Sequence, residues 1–319
     1  MGVVAEKYQY VNGLLDGEQY DYYDDGTLHI VKHYTMGKPH GDQVEYFPGG
    51  ELTATIARYQ DGVLDGLQES FYDSTEMKAV LSYQDGVLHG WKRLWSKRQE
   101  LLEEGYYEEG RLQGRFYQLF PQEKIEVVSH YRDNQLHELY QVVHIGEDSV
   151  TILEGNYSHG LSEGEWTKYG ATGRKLSVEK FFQGKKHGNS SYYDSRGKLT
   201  RTVEYIDDVV HGMVKEYYST GEEKGRLPHI EGKLHGEVLS LYQNGQMSKR
   251  YRYQQGKLHG KSQEWTERGI LLFEGEYNQG EKHGVFNRYY PDGKPRALQA
   301  FEHGNRIYKN SFDMMEGGG

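Results

Sequence analysis

The chain has 319 residues, with 41 Gly, 29 Tyr and 15 His, no Cys, and a formal charge of −10. The missing Cys excludes disulfides, thiolate nucleophiles and Cys-ligated metal. The acidic balance disfavours nucleic acid and anionic membrane as partners, because affinity for both comes from Lys and Arg.

At the N-terminus, MGVVAEKYQY lacks a basic segment followed by an apolar run, so no secretory leader is expected. No apolar run reaches the roughly 18 residues of a membrane-spanning helix. These two readings place the chain in the cytoplasm, without an integral membrane segment.

From there one fragment keeps returning. YQDGVLHG at 83–90 recurs as YQQGKLHG at 253–260 and YNQGEKHG at 277–284. Its first Gly falls at Gly13, Gly37, Gly62, Gly86 and Gly110, then Asn134, Gly160, Gly184, Asp208, Gly232, Gly256, Gly280 and Gly304. The spacing is 24 residues with single steps of 25 and 26. Asn and Asp are the non-Gly residues that best tolerate φ > 0, so both substitutes keep a turn. A second Gly follows four places on, from Gly17 to Gly284, with Glu138 as the exception. Five places later comes a bulky slot: Tyr22, Tyr46, Phe71, Trp95, Leu119, Val143, Tyr169, Tyr193, Tyr217, Leu241, Trp265 and Tyr289. These twelve residues are expected to form the repeat core. A third Gly follows in most repeats, as at Gly26, Gly50, Gly197 and Gly293.

Short segments rich in Tyr, Val and Phe between Gly-containing turns are strand-and-hairpin signals, and Gly recurs too often for helices. A single hairpin cannot bury its apolar face alone, so neighbours must stack. The expected fold is therefore all-β: one elongated array of tandem antiparallel β-hairpins in a twisted, extended sheet. About twelve repeats would fill 1–310, with a partial C-terminal cap at 301–310 and a flexible tail at 311–319.

The pattern YxxGxxHG…YYxxGxL, over residues 8–308, resembles the MORN-repeat family, and more closely its bacterial variant found in YwqK-type antitoxins. The resemblance implies an extended hairpin array that binds protein. Bacterial members imply an antitoxin or immunity role against a cognate toxin or effector. Eukaryotic members imply a ciliary, cytoskeletal or membrane-associated scaffold.

The His residues at 40, 89, 137, 187, 211, 235, 259 and 283 invite a metal hypothesis. Equivalent positions of adjacent hairpins lie about 10 Å apart, too far for two nitrogens on one zinc. Turn capping is the expected role, and no metal or cofactor is expected. The chain lacks G-x-S-x-G, G-x-x-x-x-G-K-[ST] and H-E-x-x-H, so no enzyme activity is expected.

Departures from the repeat cluster between 67 and 156. Thr75, Gln99, Glu123 and Glu147 replace the third Gly in four consecutive repeats, and HIGEDSVTILEG at 144–155 reads as an insertion. Aromatics dominate interface hot spots. Trp91, Phe116, Tyr117, Tyr140 and Trp166 are therefore the candidate anchors for a protein partner. Strand alternation sets Phe116, Tyr140 and Trp166 on the face opposite the bulky slot, and Trp91 on the same face as it.

Overall fold

The computed structural model describes residues 4–73 and 75–312, and every regular element among them is a β-strand. The chain divides into two compact units, Met1–Leu161 and Ser162–Gly319. In each, strands pair antiparallel with their neighbours in the chain. In the first unit the hairpin pairs run from Gly17–Tyr22 with Leu28–Thr35 to Gln135–His144 with Val150–Ser158. In the second they run from Leu161–Tyr169 with Lys175–Phe182 to Pro295–Glu302 with Asn305–Ser311. The all-β array of tandem hairpins is thus the observed fold. From residue 313 on, the expected tail lies outside the described residues.

The turn at the first Gly explains the period. Its two central residues both have positive φ, as in Asp85–Gly86 (50° and 79°) and Gln255–Gly256 (51° and 81°). This is the type I′ geometry that matches the twist of a hairpin. The second central N–H then reaches back to a carbonyl of the preceding hairpin: Gly86 to Leu64 at 2.7 Å, Gly110 to Leu88 at 2.8 Å, Gly256 to Leu234 at 2.8 Å. Where Gly is replaced, the same bond persists and the new side chain adds another. Asn134 donates to Leu112 O at 3.1 Å and accepts from Leu112 N–H at 2.7 Å. Asp208 does the same with Lys186, at 2.9 and 2.8 Å.

The four repeats that lack the third Gly each close their turn by other means. Asp73 accepts the N–H groups of Thr75 and Glu76. Ser96 Oγ accepts those of Arg98 and Glu100, while Gln99 takes φ 59°. In the third, Lys124 takes φ 55° at the turn, and its carbonyl extends the ladder to the next strand by accepting Ile145 N–H at 2.8 Å. The run at 144–155 is a wider turn followed by the strand Val150–Ser158.

The core lies elsewhere than expected. All twelve slot residues are only half-buried. Most of the buried side chains on the Gly-led strands stand two places after the second Gly, on the other face: Gln19, Phe116, Trp166, Ser190, Val214, Ser262 and Phe286. Cross-strand partners continue the row, with Val203 at 0% exposure between Ser190 and Val214. Large and small residues alternate so that one layer can close. Phe116 lies over Gly105, where an added Cβ would come within 2.8 Å of its ring. Beside this row runs an aromatic ladder. Each second Gly faces a ring across the ladder: Tyr34, Tyr59, Tyr83, Tyr107 and Tyr131 in the first unit, and Phe181, Tyr205, His229, Tyr253, Tyr277 and Phe301 in the second. A ring over a bare Gly restores the cover that its missing side chain forfeits. Phe286, for example, packs between Tyr277 and Phe301 at 5.3 and 5.1 Å. Burial is set by this ladder, so the row beside it accepts Gln and Ser as readily as Phe.

Candidate partner-binding surface

The face opposite the core carries the bulky slots, half-exposed, and a more exposed row one place after the second Gly. In the first unit that row reads Glu18, Asp42, Leu67, Trp91, Arg115 and Leu139. Leu67, Trp91 and Leu139 are 45%, 41% and 37% exposed. Alternation forces this outcome: the even offset is committed to the core, so an odd offset turns away from it.

Around Trp91 the side chains are held in place across four strands, Val87–Trp95, Leu101–Glu108, Arg111–Phe120 and Ile125–Arg132. Trp91 lies opposite Tyr106, edge to face at 5.4 Å. The Arg93 guanidinium sits 4.8 Å over the indole and donates to Glu104 at 2.8 Å. Arg115 approaches the same carboxylate at 3.6 Å and lies 5.5 Å over Tyr117. Tyr117 donates to Glu126 at 3.1 Å. Burial first, then the Glu126 carboxylate, push the Tyr117 phenol up to about 12, so it remains a donor through the neutral range. The result is a preorganised patch of Trp, Tyr and Arg, the residue types that anchor interfaces.

Of the five expected anchors, the structure brings Trp91 and Tyr117 together on this patch. The other three lie on the core face. Phe116 and Trp166 are each 8% exposed and pack edge-on to Tyr131 and Phe181. Tyr140 is half-buried, paired with Ser129 and edge-on to Tyr157. Phe116 and Trp166 thus serve as buried ring cover on the core face, with Tyr140 half-buried beside them. Sequence reading missed Arg93, Glu104, Tyr106 and Arg115. The alternation that put Phe116 inward also put Arg115 outward, and cross-strand register adds the rest.

The His row is an inter-turn contact. In other repeats Asp16, Asp65, Gln113 and Glu163 hold that position and accept the backbone N–H of the next turn, at 3.0 to 3.2 Å. His187 lies 3.4 Å from Asp207 of the next turn, and His137 meets His159 ring to ring at 5.5 Å. Among the described residues no group of three His, Cys, Asp or Glu is placed to hold a metal ion. Among the described residues no helix is long and apolar enough to cross a membrane.

No curated protein sequence matches the chain. Among solved structures, 88% of it aligns with the crystal structure of TcdB2-TccC3-Cdc42 at 11% identity and TM-score 0.16. The pore of the Photorhabdus luminescens Tc holotoxin aligns over 93% of it, at 9% identity and TM-score 0.18. The chain spans 18% and 17% of those chains. Two segments, residues 15–35 and 282–303, match the MORN repeat variant, which makes the hairpins at both ends of the array similar to that repeat.

Proposed function

We propose that the chain is a non-enzymatic protein-binding array, acting in the cytoplasm as an antitoxin or immunity protein that holds one toxin or effector. The observation that carries this reading is the exposed Trp91, fixed between Arg93 and Tyr106 on a row that most repeats fill with polar residues. The carboxylates beside it support binding over catalysis. Glu104 is engaged by two Arg and Glu126 by a phenol, so neither is poised as a free base. A structural scaffold is the second reading, favoured by the identical turn-to-carbonyl bond in repeats of both units, which offers equivalent surfaces at a fixed interval.

Purification of the complex from the native cell tests it. The antitoxin role predicts one stoichiometric partner that arrests growth when expressed alone and is silenced by co-expression of this chain. Several sub-stoichiometric partners, none of them toxic, would establish the scaffold instead.

A further inference from the structure

The two units differ sharply in charge. Residues 1–161 hold 27 acidic and 13 basic side chains, a formal −14, whereas residues 162–319 hold 21 acidic and 25 basic, a formal +4. The acids of the first unit are not spread evenly. The exposed tips of four consecutive first-Gly turns are Asp61, Asp85, Glu109 and Asp133, each at φ near 50°. Turn tips of successive hairpins lie on one border of the sheet, about 10 Å apart. The corresponding tips from residue 183 on read Gln183, Asp207, Glu231, Gln255, Gln279 and His303, with no such run. The acidic border therefore flanks the same hairpins that carry exposed Leu67 and Trp91.

We infer that the sheet face centred on Trp91 docks a protein surface that is apolar at its centre and rimmed by Lys and Arg. This rests on the protein-binding reading above and adds the partner's chemistry to it. The indole supplies the contact to be desolvated, and the acidic tips complement a cationic rim and raise the rate of encounter. Within the patch the two cations Arg93 and Arg115 are matched by the two carboxylates Glu104 and Glu126, so the patch carries no net positive charge against an incoming Lys or Arg.

The test uses the full chain and a fluorescein-labelled peptide of alternating lysine and leucine, read by anisotropy beside its glutamate–leucine counterpart. The lysine peptide is expected to bind and the glutamate peptide not to. Trp91→Ser weakens the lysine peptide about tenfold or more, as expected of an aromatic anchor. Added salt weakens it, and so does the combined Asp61→Asn, Asp85→Asn, Asp133→Asn variant, whose Asn residues tolerate the same left-handed turn. Val285→Ser, at the same row position in the second unit, leaves binding unchanged. Equal binding of both peptides, or full affinity in Trp91→Ser and the Asn variant, overturns the inference. If Trp91→Ser still neutralises the cellular partner, this surface is wrong and the antitoxin reading stands. If peptide binding depends on Trp91 but the chain neutralises nothing, the surface stands and that reading falls.

Discussion

The Tyr23 hydroxyl donates to the backbone carbonyl of Tyr46 at 2.7 Å, joining one repeat to the bulky slot of the next. Tyr72 makes the same bond to Trp95, Tyr218 to Leu241 and Tyr242 to Trp265, at 2.7 to 3.0 Å. The slot residue thus serves the array through its carbonyl as well as its side chain.

Tyr218→Phe is expected to destabilise the chain by about 1 kcal/mol, the net worth of one hydrogen bond. Urea denaturation measures it. Hydrogen exchange should rise first at the Tyr218–Leu241 seam, because a repeat array is stabilised by nearest-neighbour contacts. Unchanged stability would show that solvent replaces the phenol at no cost.

Glu138 stands where other repeats have the second Gly, and takes φ 64°. A non-Gly residue there costs roughly 1–2 kcal/mol. Glu138→Gly is therefore expected to raise the urea midpoint, while Gly114→Ala lowers it. An added Cβ at Gly114, φ 67°, meets nothing within 4 Å, so that variant reads the backbone alone.

Gly105→Ala places a methyl 2.8 Å from Phe116 and 2.9 Å from Leu112. Overpacking of this kind costs about 1–3 kcal/mol. Because the clash lies on the core face, thermal stability should fall while peptide affinity at Trp91 holds. Loss of both together would mean that the two faces are not independent.

Glu274 is held below the usual carboxylate range, chiefly by the Lys261 hydrogen bond, with burial opposing. The folded state therefore binds its proton more weakly than the unfolded state does. Its contribution is present above the unfolded carboxylate pKa and is lost as pH falls through the lowered folded value. Glu274→Gln should cost stability near pH 7 and nothing near pH 2, in urea midpoints measured across that range.

Much of the fold was legible because a type I′ turn admits few residues. Gly, Asn and Asp at one position, every 24 residues, fix the hairpins, and Asn134 and Asp208 mark the turn as clearly as Gly110 does. The core face was not legible for a related reason. Its row is defined by position and holds Gln19, Ser190 and Ser262 as readily as Phe286, so hydrophobicity does not reveal it. Bulk pointed to Tyr22 and Trp95, which stand half-exposed on the other side. The readable signal was the ring three places before the first turn position, Tyr34 through Phe301 with His229 once, which covers the second Gly wherever one stands. On the binding face, Trp91 and Tyr117 could be named from composition, but Arg93, Glu104, Tyr106 and Arg115 needed the strand register.

The turn-to-carbonyl bonds reach back only one hairpin, as from Gly256 to Leu234 or Gly232 to Val210. Among the described residues no bond of this class spans two repeats. Within each unit the seams are thus interchangeable: excision of one whole 24-residue repeat rejoins like with like, and the number of repeats can change in evolution without renegotiating any seam. A surface tied to particular hairpins, such as that around Trp91, keeps its chemistry when repeats elsewhere in its unit are gained or lost.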